Sequence, residues 1–203
     1  MKNSTSPSRL RRVTNSLART LWPDDEHWVR IVMNRETRQW VRALSPEKLD
    51  ALEISGDWWS SGNFRSYQSL VLQQLDICQH ALPEKFDLIL AEQVFEHVAF
   101  PRTAAKNVFE MLRPNGYFLI TTPFLIRFHE APIDCSRWTE LGLRNLLCEA
   151  GFAPQSIRTN SWGNRACVIS NFTKWTRYRP LIHSLKNERD FPVSVWAIGQ
   201  RRD

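Results

Sequence analysis

The most informative sequence is FDLILAEQVFEHV, at residues 86–98, followed by MLRPNGYFLITTPF, at residues 111–124. The apolar run at 86–91 has the length of a strand and does not alternate with polar residues, which is typical of a strand buried on both faces of a parallel sheet. A helical pattern at 103–113 ends at Pro-Asn-Gly, a strong turn signal, and a second strand is predicted at 117–122. These stretches together predict a β-α-β unit.

Further elements are predicted on the N-terminal side of this unit. Residues 26–44 carry apolar side chains at helical spacing and predict an amphipathic helix that caps the domain. Residues 50–55 (DALEIS) predict a short buried strand, and two brief strands are predicted at 67–71 and 74–77.

On the C-terminal side, Thr139 is the predicted N-cap of a helix that Gly151 closes. A strand at 153–159, a helical segment at 164–178 and a last strand at 193–199 are predicted to follow. Strands that alternate with helices predict an α/β fold, a mainly parallel sheet with helices on both faces. Because such sheets bind ligands beyond the carboxyl ends of their strands, the functional residues are expected there.

Composition and charge indicate a single domain with a basic extension. The 203 residues carry a net charge of +6, of which residues 1–20 contribute +5, so the rest of the chain is nearly neutral. We interpret residues 1–25 as a solvated, flexible arm and residues 26–203 as one domain. No apolar run is long enough to span a membrane and no secretory signal is evident, which predicts a cytoplasmic protein, monomeric or homodimeric, with reduced cysteines.

The motifs at 86–98 and 111–124 resemble the fourth and fifth strand motifs of small-molecule class I S-adenosylmethionine-dependent methyltransferases. The stretch at 131–139 (APIDCSRWT) resembles an Asp-x-x-Arg-Tyr/Trp-Thr element of some of these enzymes. The resemblance covers about residues 50–152. It implies a Rossmann-like fold with a mainly parallel seven-stranded sheet and an antiparallel last strand, and S-adenosylmethionine as the cofactor.

The resemblance also implies a cofactor site. In such enzymes an acid of the first strand, here Glu53, organises the first loop and the amine of the cofactor, while a glycine, here Gly56, permits close approach of the backbone. Asp76 corresponds to the acid that accepts from the adenine amino group. The cofactor-binding residues implied in this way are Glu53, Ser55, Gly56, Asp57, Asp76, Ile77, Cys78, Glu92, Gln93 and Val94.

The first loop departs from the family pattern. A typical member has G-x-G-x-G after the first strand, whereas residues 56–62 read GDWWSSG, and no acid is evident at the end of the second strand. Either Asp57 and the two tryptophans rebuild the pocket, or cofactor binding has been weakened or lost.

His97 is the candidate general base, because the pKa of a histidine lies near neutrality. Asp134 and Arg137 are the other candidate catalytic residues. Two alternatives stay open: His97 could only pack or hydrogen-bond in the cofactor pocket, and Asp134 and Arg137 could form an internal ion pair. The residues predicted to bind substrate are Trp58, Arg127 and His129.

No metal site is predicted from the sequence. Methyl transfer from a sulfonium needs no metal, because the methyl group is already activated and the protein has only to align the nucleophile and remove a proton. Residues 129–133 (HEAPI) lack the second histidine of HExxH, and the four cysteines lack metal-ligand spacing.

The sequence therefore predicts an S-adenosylmethionine-dependent methyltransferase that acts on a small molecule, such as a sugar-linked or amino-acid-like metabolite. One alternative is other chemistry on the same cofactor, a cyclisation or elimination that releases methylthioadenosine. A second is a non-catalytic scaffold that has lost the cofactor. Methylation of nucleic acid rests only on the basic arm and is the weakest hypothesis.

Overall fold

The computed structural model of the protein describes residues 26–70, 76–130 and 133–202. The predicted basic arm at 1–25 and the first half of the predicted strand at 74–77 lie outside these ranges. Asp76 is outside any strand and Ile77 begins a turn.

Within the described residues, six strands form one mixed sheet in the order β2-β1-β3-β4-β6-β5. The first four positions of this order are parallel, and β6 runs antiparallel to both of its neighbours. The Rossmann-like α/β fold is therefore confirmed, with six described strands where seven were predicted. The strands are β1 Asp50–Ile54, β2 Ser66–Leu70, β3 Phe86–Glu92, β4 Leu112–Pro123, β5 Ile157–Trp162 and β6 Ser194–Gln200.

Helices cover both faces of the sheet, and the side chains of the central strand β3 pack on both sides. Leu88 and Leu90 of β3 pack in the same cluster as Trp40, whereas Ile89 and Ala91 pack in the cluster that contains Leu143. Both faces of β3 are thus buried, which accounts for its unbroken apolar sequence. The helices are α1 Ile31–Arg42, α2 Pro101–Met111, α3 Glu140–Ala150 and α4 Arg165–Asn171.

The predicted turn between the second helix and the next strand is wrong in one respect. β4 begins directly after α2, at Leu112, and Pro-Asn-Gly lies inside it as a bulge between the pairs Phe86–Leu112 and Leu88–Tyr117. Asn115 has a φ of 64°. The bulge lets the Arg113 side chain reach Asp50 and Asp87, at 2.9 and 2.8 Å.

Two further predictions near the C-terminus had incorrect boundaries. The strand predicted at 153–159 begins only at Ile157, because Pro154–Ser156 form a 3-10 turn. The helix predicted at 164–178 ends at Asn171. The side-chain oxygen of Asn171 accepts from the Thr176 N–H, which stabilises a non-helical path for the residues between them. By contrast, the caps of α3 are confirmed: Thr139 Oγ1 accepts from the Gly142 N–H at 3.1 Å, and Gly151 closes the helix with a φ of 123°.

An ionic cluster fixes the end of the sheet opposite the candidate site. Arg65 and Arg113 both contact Asp50 and Asp87, where β1, β3 and β4 meet. The hydrogen bond from Arg65 holds the pKa of Asp50 well below its usual range. Among the described ranges, no helix is both long and apolar enough to cross a membrane.

Candidate active site

One buried carboxylate organises the loop that follows β1. Glu53 is fully buried, and its Oε1 accepts from the Trp58 N–H at 3.1 Å. Its Oε2 accepts from the Trp59 N–H at 3.0 Å and from the Tyr67 hydroxyl at 2.6 Å. Residues 58–61 form a turn, not the helix that usually follows this strand. The side chain of Glu53 thus replaces helix formation as the means of closing the loop.

Gly56 is required by this arrangement. A Cβ atom at position 56 would lie 2.5 Å from Glu53 Oε1, which is well inside contact distance. The preceding residue, Ser55, has a φ of 59°, and its N–H donates to the Leu70 carbonyl at 2.6 Å. The backbone therefore turns sharply over the acid at the end of β1, and only glycine fits there.

The two tryptophans of the loop have different environments. Trp59 is buried, and its Nε1 donates to Glu92 Oε2 at 3.0 Å. Trp58 is 56% exposed, and the Arg30 guanidinium lies 4.9 Å from its ring centre. Trp59 is thus part of the core, while Trp58 offers an open aromatic face. Asp57, the other residue predicted to rebuild this loop, is exposed.

Arg30 and Glu92 link the segment before α1 to the end of β3. Arg30 Nη1 lies 3.3 Å from Glu92 Oε1, and both side chains are largely buried. Burial raises the pKa of Glu92, and the positive charge of Arg30 opposes that rise. The pair places one cationic and one anionic group at the carboxyl edge of the sheet.

The corner after β3 is held in an unusual conformation. Gln93 has a φ of 56°, its N–H donates to the Thr121 carbonyl at 3.0 Å, and its side chain reaches Thr121 Oγ1 at 3.2 Å. Left-handed backbone at a residue other than glycine is uncommon and is concentrated at functional sites. Val94 is buried, so the exposed part of this corner is backbone and the Gln93 side chain.

The third predicted contact region, residues 76–78, is a self-capped turn. Asp76 is exposed, and its carboxylate accepts from the Cys78 N–H at 2.9 Å and from Gln79 Nε2 at 2.7 Å. Ile77 is buried in the core. The Cys78 N–H is therefore already bonded within the turn, and the Ile77 side chain faces the core. Asp76 is the accessible group of this region.

A pocket of about 300 Å³ opens at the carboxyl edge beside Gln93. Its walls come from segments that are far apart in sequence, namely those that contain Arg30, Trp58, Glu96, His97, His129 and Trp175. His97 and His129 lie edge to face with ring centres 5.0 Å apart, and the ring of His129 lies 5.4 Å from that of Trp175. The pocket therefore combines aromatic walls with titratable groups.

Glu96 and His97 form the inner wall of this pocket. Glu96 is fully buried, and within the described part of the chain neither carboxylate oxygen has a hydrogen-bond partner. Burial raises the pKa of Glu96 to about 8. His97 Nδ1 contacts the Ile133 carbonyl, which can only accept, so Nδ1 carries the proton in the neutral ring. His97 Nε2 is then unprotonated, 3.7 Å from Glu96 Oε1.

Asp134 and Arg137 form the internal ion pair that was the alternative interpretation. Both Arg137 Nη atoms contact the Asp134 carboxylate, which also accepts from the His129 N–H at 2.8 Å. Burial alone would raise the pKa of Asp134, but these hydrogen bonds lower it. The two residues do not line the histidine pocket. They hold the loop that carries His129, and they border a separate open depression.

Arg127 is not among the residues that line the pocket either. Its Nη1 donates to the Thr173 carbonyl at 2.7 Å, and its guanidinium lies 5.1 Å from the ring centre of Trp175. It therefore positions a wall of the pocket. Arg30, Glu96 and Trp175 were missed by sequence reasoning. Only the adjacency of Glu96 to His97 gave any local signal.

Comparison with solved structures supports the same fold. A possible histamine N-methyltransferase from Thermotoga maritima superposes with a TM-score of 0.57 at 15% identity, covering 95% of this chain and 98% of that one. An S-adenosylmethionine-dependent methyltransferase from Mesorhizobium loti gives 0.52 at 17% identity, covering 80% and 96%. Phosphoethanolamine N-methyltransferase 2 of Haemonchus contortus, solved with phosphomonomethylethanolamine and S-adenosylhomocysteine, gives 0.55 at 11% identity, covering 83% of this chain and 53% of that one.

Comparison with curated proteins found no sequence match. A family model described as "Methyltransferase domain" matches residues 23–157, which is more than half of the chain and includes β1 to β4, the loop of Glu53 and the pocket residues His97 and His129. The chain therefore belongs to the class I S-adenosylmethionine-dependent methyltransferases.

Proposed function

We propose that the protein transfers a methyl group from S-adenosylmethionine to a small-molecule acceptor that binds in the pocket of His97 and His129. The observation that carries this proposal is the pocket itself. Its volume of about 300 Å³ suits a small molecule, and its walls combine aromatic rings with groups that can accept a proton. It also lies at the carboxyl edge of the sheet, where α/β folds bind their ligands.

The residues around Gly56 fit the cofactor. The Glu53 carboxylate occupies the space that a side chain at position 56 would need, and the backbone of this turn lies at the carboxyl end of β1, where such sheets bind their ligands. Arg30 and Glu92 offer one charge of each sign for the amino-acid end of the cofactor, and the exposed face of Trp58 suits a sulfonium cation. Asp76 remains the candidate partner of the adenine amino group.

The cofactor supplies an activated methyl group, so the task of the protein is to align the acceptor and remove its proton. His97 can remove it, because its Nδ1 proton is held by the Ile133 carbonyl and its Nε2 is free to accept. Glu96, at 3.7 Å, would stabilise the resulting imidazolium when its carboxyl group is ionised. Asp134 and Arg137 act indirectly in this scheme, by fixing the loop of His129.

Cofactor binding through the rewritten loop is tested by Gly56→Ala. The added methyl group would collide with Glu53 Oε1, and we expect at least about a 10-fold loss of affinity for S-adenosylmethionine in calorimetric titration. The matched control is Gly142→Ala, because a Cβ there meets its nearest neighbour at an ordinary 3.5 Å. Equal affinity in the two variants would show that the loop of Gly56 does not hold the cofactor.

The acceptor is tested by incubating the protein with S-adenosylmethionine and panels of small hydroxyl, amine and thiol compounds. We expect S-adenosylhomocysteine to form with a small acceptor, and His97→Asn to slow that reaction by about 10²–10⁴-fold with unchanged cofactor affinity. Release of methylthioadenosine would indicate cyclisation or elimination instead. Methyl transfer only to nucleic acid would contradict the small-molecule proposal, and absence of cofactor binding would favour a scaffold.

A further inference from the structure

Three potential metal ligands converge in the pocket from two separate segments. One donor atom from each of Glu96, His97 and His129 lies within 4.8 Å of the donor atoms of the other two. Glu96 and His97 belong to the 3-10 turn Phe95–His97, which begins two residues after the corner residue Gln93. His129 comes from the loop after β4, which the ion pair of Asp134 and Arg137 holds in place through the His129 N–H. The cluster is therefore positioned by the fold.

The Glu96 carboxylate is an unpartnered acid aimed into this cluster. Its side chain is 0% exposed, and no hydrogen bond to either oxygen is present among the described residues. A carboxylate this deeply buried requires a proton, a cation or a donor, because desolvation without compensation is very costly. His97 Nε2 lies 3.7 Å from Glu96 Oε1, which is too long for a hydrogen bond.

His97 has the orientation of a metal ligand. Its Nδ1–H is directed at the Ile133 carbonyl, which leaves the lone pair of Nε2 on the side of Glu96. Metal-binding histidines typically donate their second ring N–H to a backbone carbonyl or carboxylate in this way. The ring centres of His97 and His129 lie 5.0 Å apart, which is compatible with both nitrogens at about 2.0–2.1 Å from one ion.

We propose that Glu96, His97 and His129 bind a divalent transition-metal ion of the Zn²⁺ type. Two imidazoles and one carboxylate are a known ligand set of catalytic zinc sites, and three protein ligands leave at least one position open to the pocket. The ligand atoms need to approach one another by up to about 1.5 Å to reach the distances between ligands bound to one tetrahedral zinc ion. The sequence gave no indication of this site, because Glu96 and His97 are far from His129 along the chain.

The role of the ion rests on the proposed methyltransferase function, but its binding does not. An acceptor hydroxyl or amine that took the open position would lose its proton to solvent more readily, since a bound cation lowers the pKa of its ligand. The ion would then perform the activation that His97 performs in the metal-free scheme. Because metal binding is measured without cofactor or acceptor, failure of this proposal is distinguishable from failure of methyl transfer.

The test uses the full chain after treatment with a chelator. Co²⁺ is added while the visible absorption of the ion is recorded, and bound Zn²⁺ is counted by equilibrium dialysis. We expect one equivalent of either ion, with a Co²⁺ spectrum of four- or five-coordinate geometry. Glu96→Gln and His129→Ala should each weaken metal binding by about 100-fold or more. Loss of an outer-shell partner alone typically costs about 10–100-fold in metal affinity, and these variants change direct ligands.

The matched control is His80→Ala, which removes an exposed histidine outside the pocket. We expect it to bind both ions like the unaltered chain, and thermal unfolding of the metal-free variants verifies that each is folded. Absence of stoichiometric binding, or binding that both Glu96→Gln and His129→Ala retain, would overturn the proposal. Glu96 would then be a buried neutral acid beside a histidine base.

Discussion

Glu53→Ala is expected to destabilise the protein by roughly 3–4 kcal/mol and to abolish binding of S-adenosylmethionine. The substitution leaves the N–H groups of Trp58 and Trp59 and the hydroxyl of Tyr67 without their acceptor. Each buried donor left unpaired costs about 1–3 kcal/mol, and the sum is reduced because the opened loop readmits water. Denaturant unfolding measures the stability, and calorimetric titration measures the cofactor affinity.

The control for this prediction is Tyr67→Phe, which removes one of the three donors and keeps the Glu53 carboxylate. We expect it to cost about 1 kcal/mol and to leave the two backbone hydrogen bonds of the loop intact. If Glu53→Ala unfolds at the same denaturant concentration as Tyr67→Phe, the carboxylate does not close the loop in the manner described.

Arg30→Met is expected to destabilise the protein by about 2–3 kcal/mol at pH 8 and by much less near pH 4. Removal of one partner of a buried ion pair leaves the other charge uncompensated. Burial already raises the pKa of Glu92 above its unfolded value, so its contribution to stability is fully present at low pH and is lost as the pH rises through the folded pKa. Without Arg30 that pKa rises further, and the loss becomes larger.

The double variant Arg30→Met/Glu92→Gln separates this charge effect from packing. It should recover part of the lost stability at pH 8 and show a weaker dependence on pH, as measured by denaturant unfolding across that range. Arg35→Met, an exposed site on the adjoining helix α1, should change stability by less than about 0.5 kcal/mol. A penalty for Arg30→Met that does not vary with pH would contradict the charge mechanism.

Local sequence was sufficient for the parts of the fold that depend on short-range patterns. The apolar run of β3 predicted a strand with two buried faces, and Leu88 and Ile89 do lie on opposite sides of the sheet. Thr139 and Gly151 marked the ends of α3 because capping satisfies backbone groups within one turn of the helix. The boundary errors have local causes that periodicity does not show: a 3-10 turn at Pro154–Ser156 delays the start of β5, and a side-chain hydrogen bond of Asn171 accompanies the end of α4.

The first loop illustrates an intermediate case. The sequence placed Glu53 and Gly56 correctly at the end of β1 and showed that GDWWSSG could not form the usual glycine loop. It could not show that Trp59 is buried against Glu92 while Trp58 faces the pocket, because the two residues are chemically identical and adjacent. Their difference is set by the strand end and by Arg30, which are distant along the chain.

The sequence by itself determined the family, the α/β class and the strand ends at which function is located, because these depend on periodicity, caps and motifs that are continuous along the chain. Only the tertiary structure brought Arg30, Glu96, His129 and Trp175 to one pocket and paired Asp134 with Arg137. The physical reason is that burial and charge pairing depend on distance in space, which local sequence patterns do not specify.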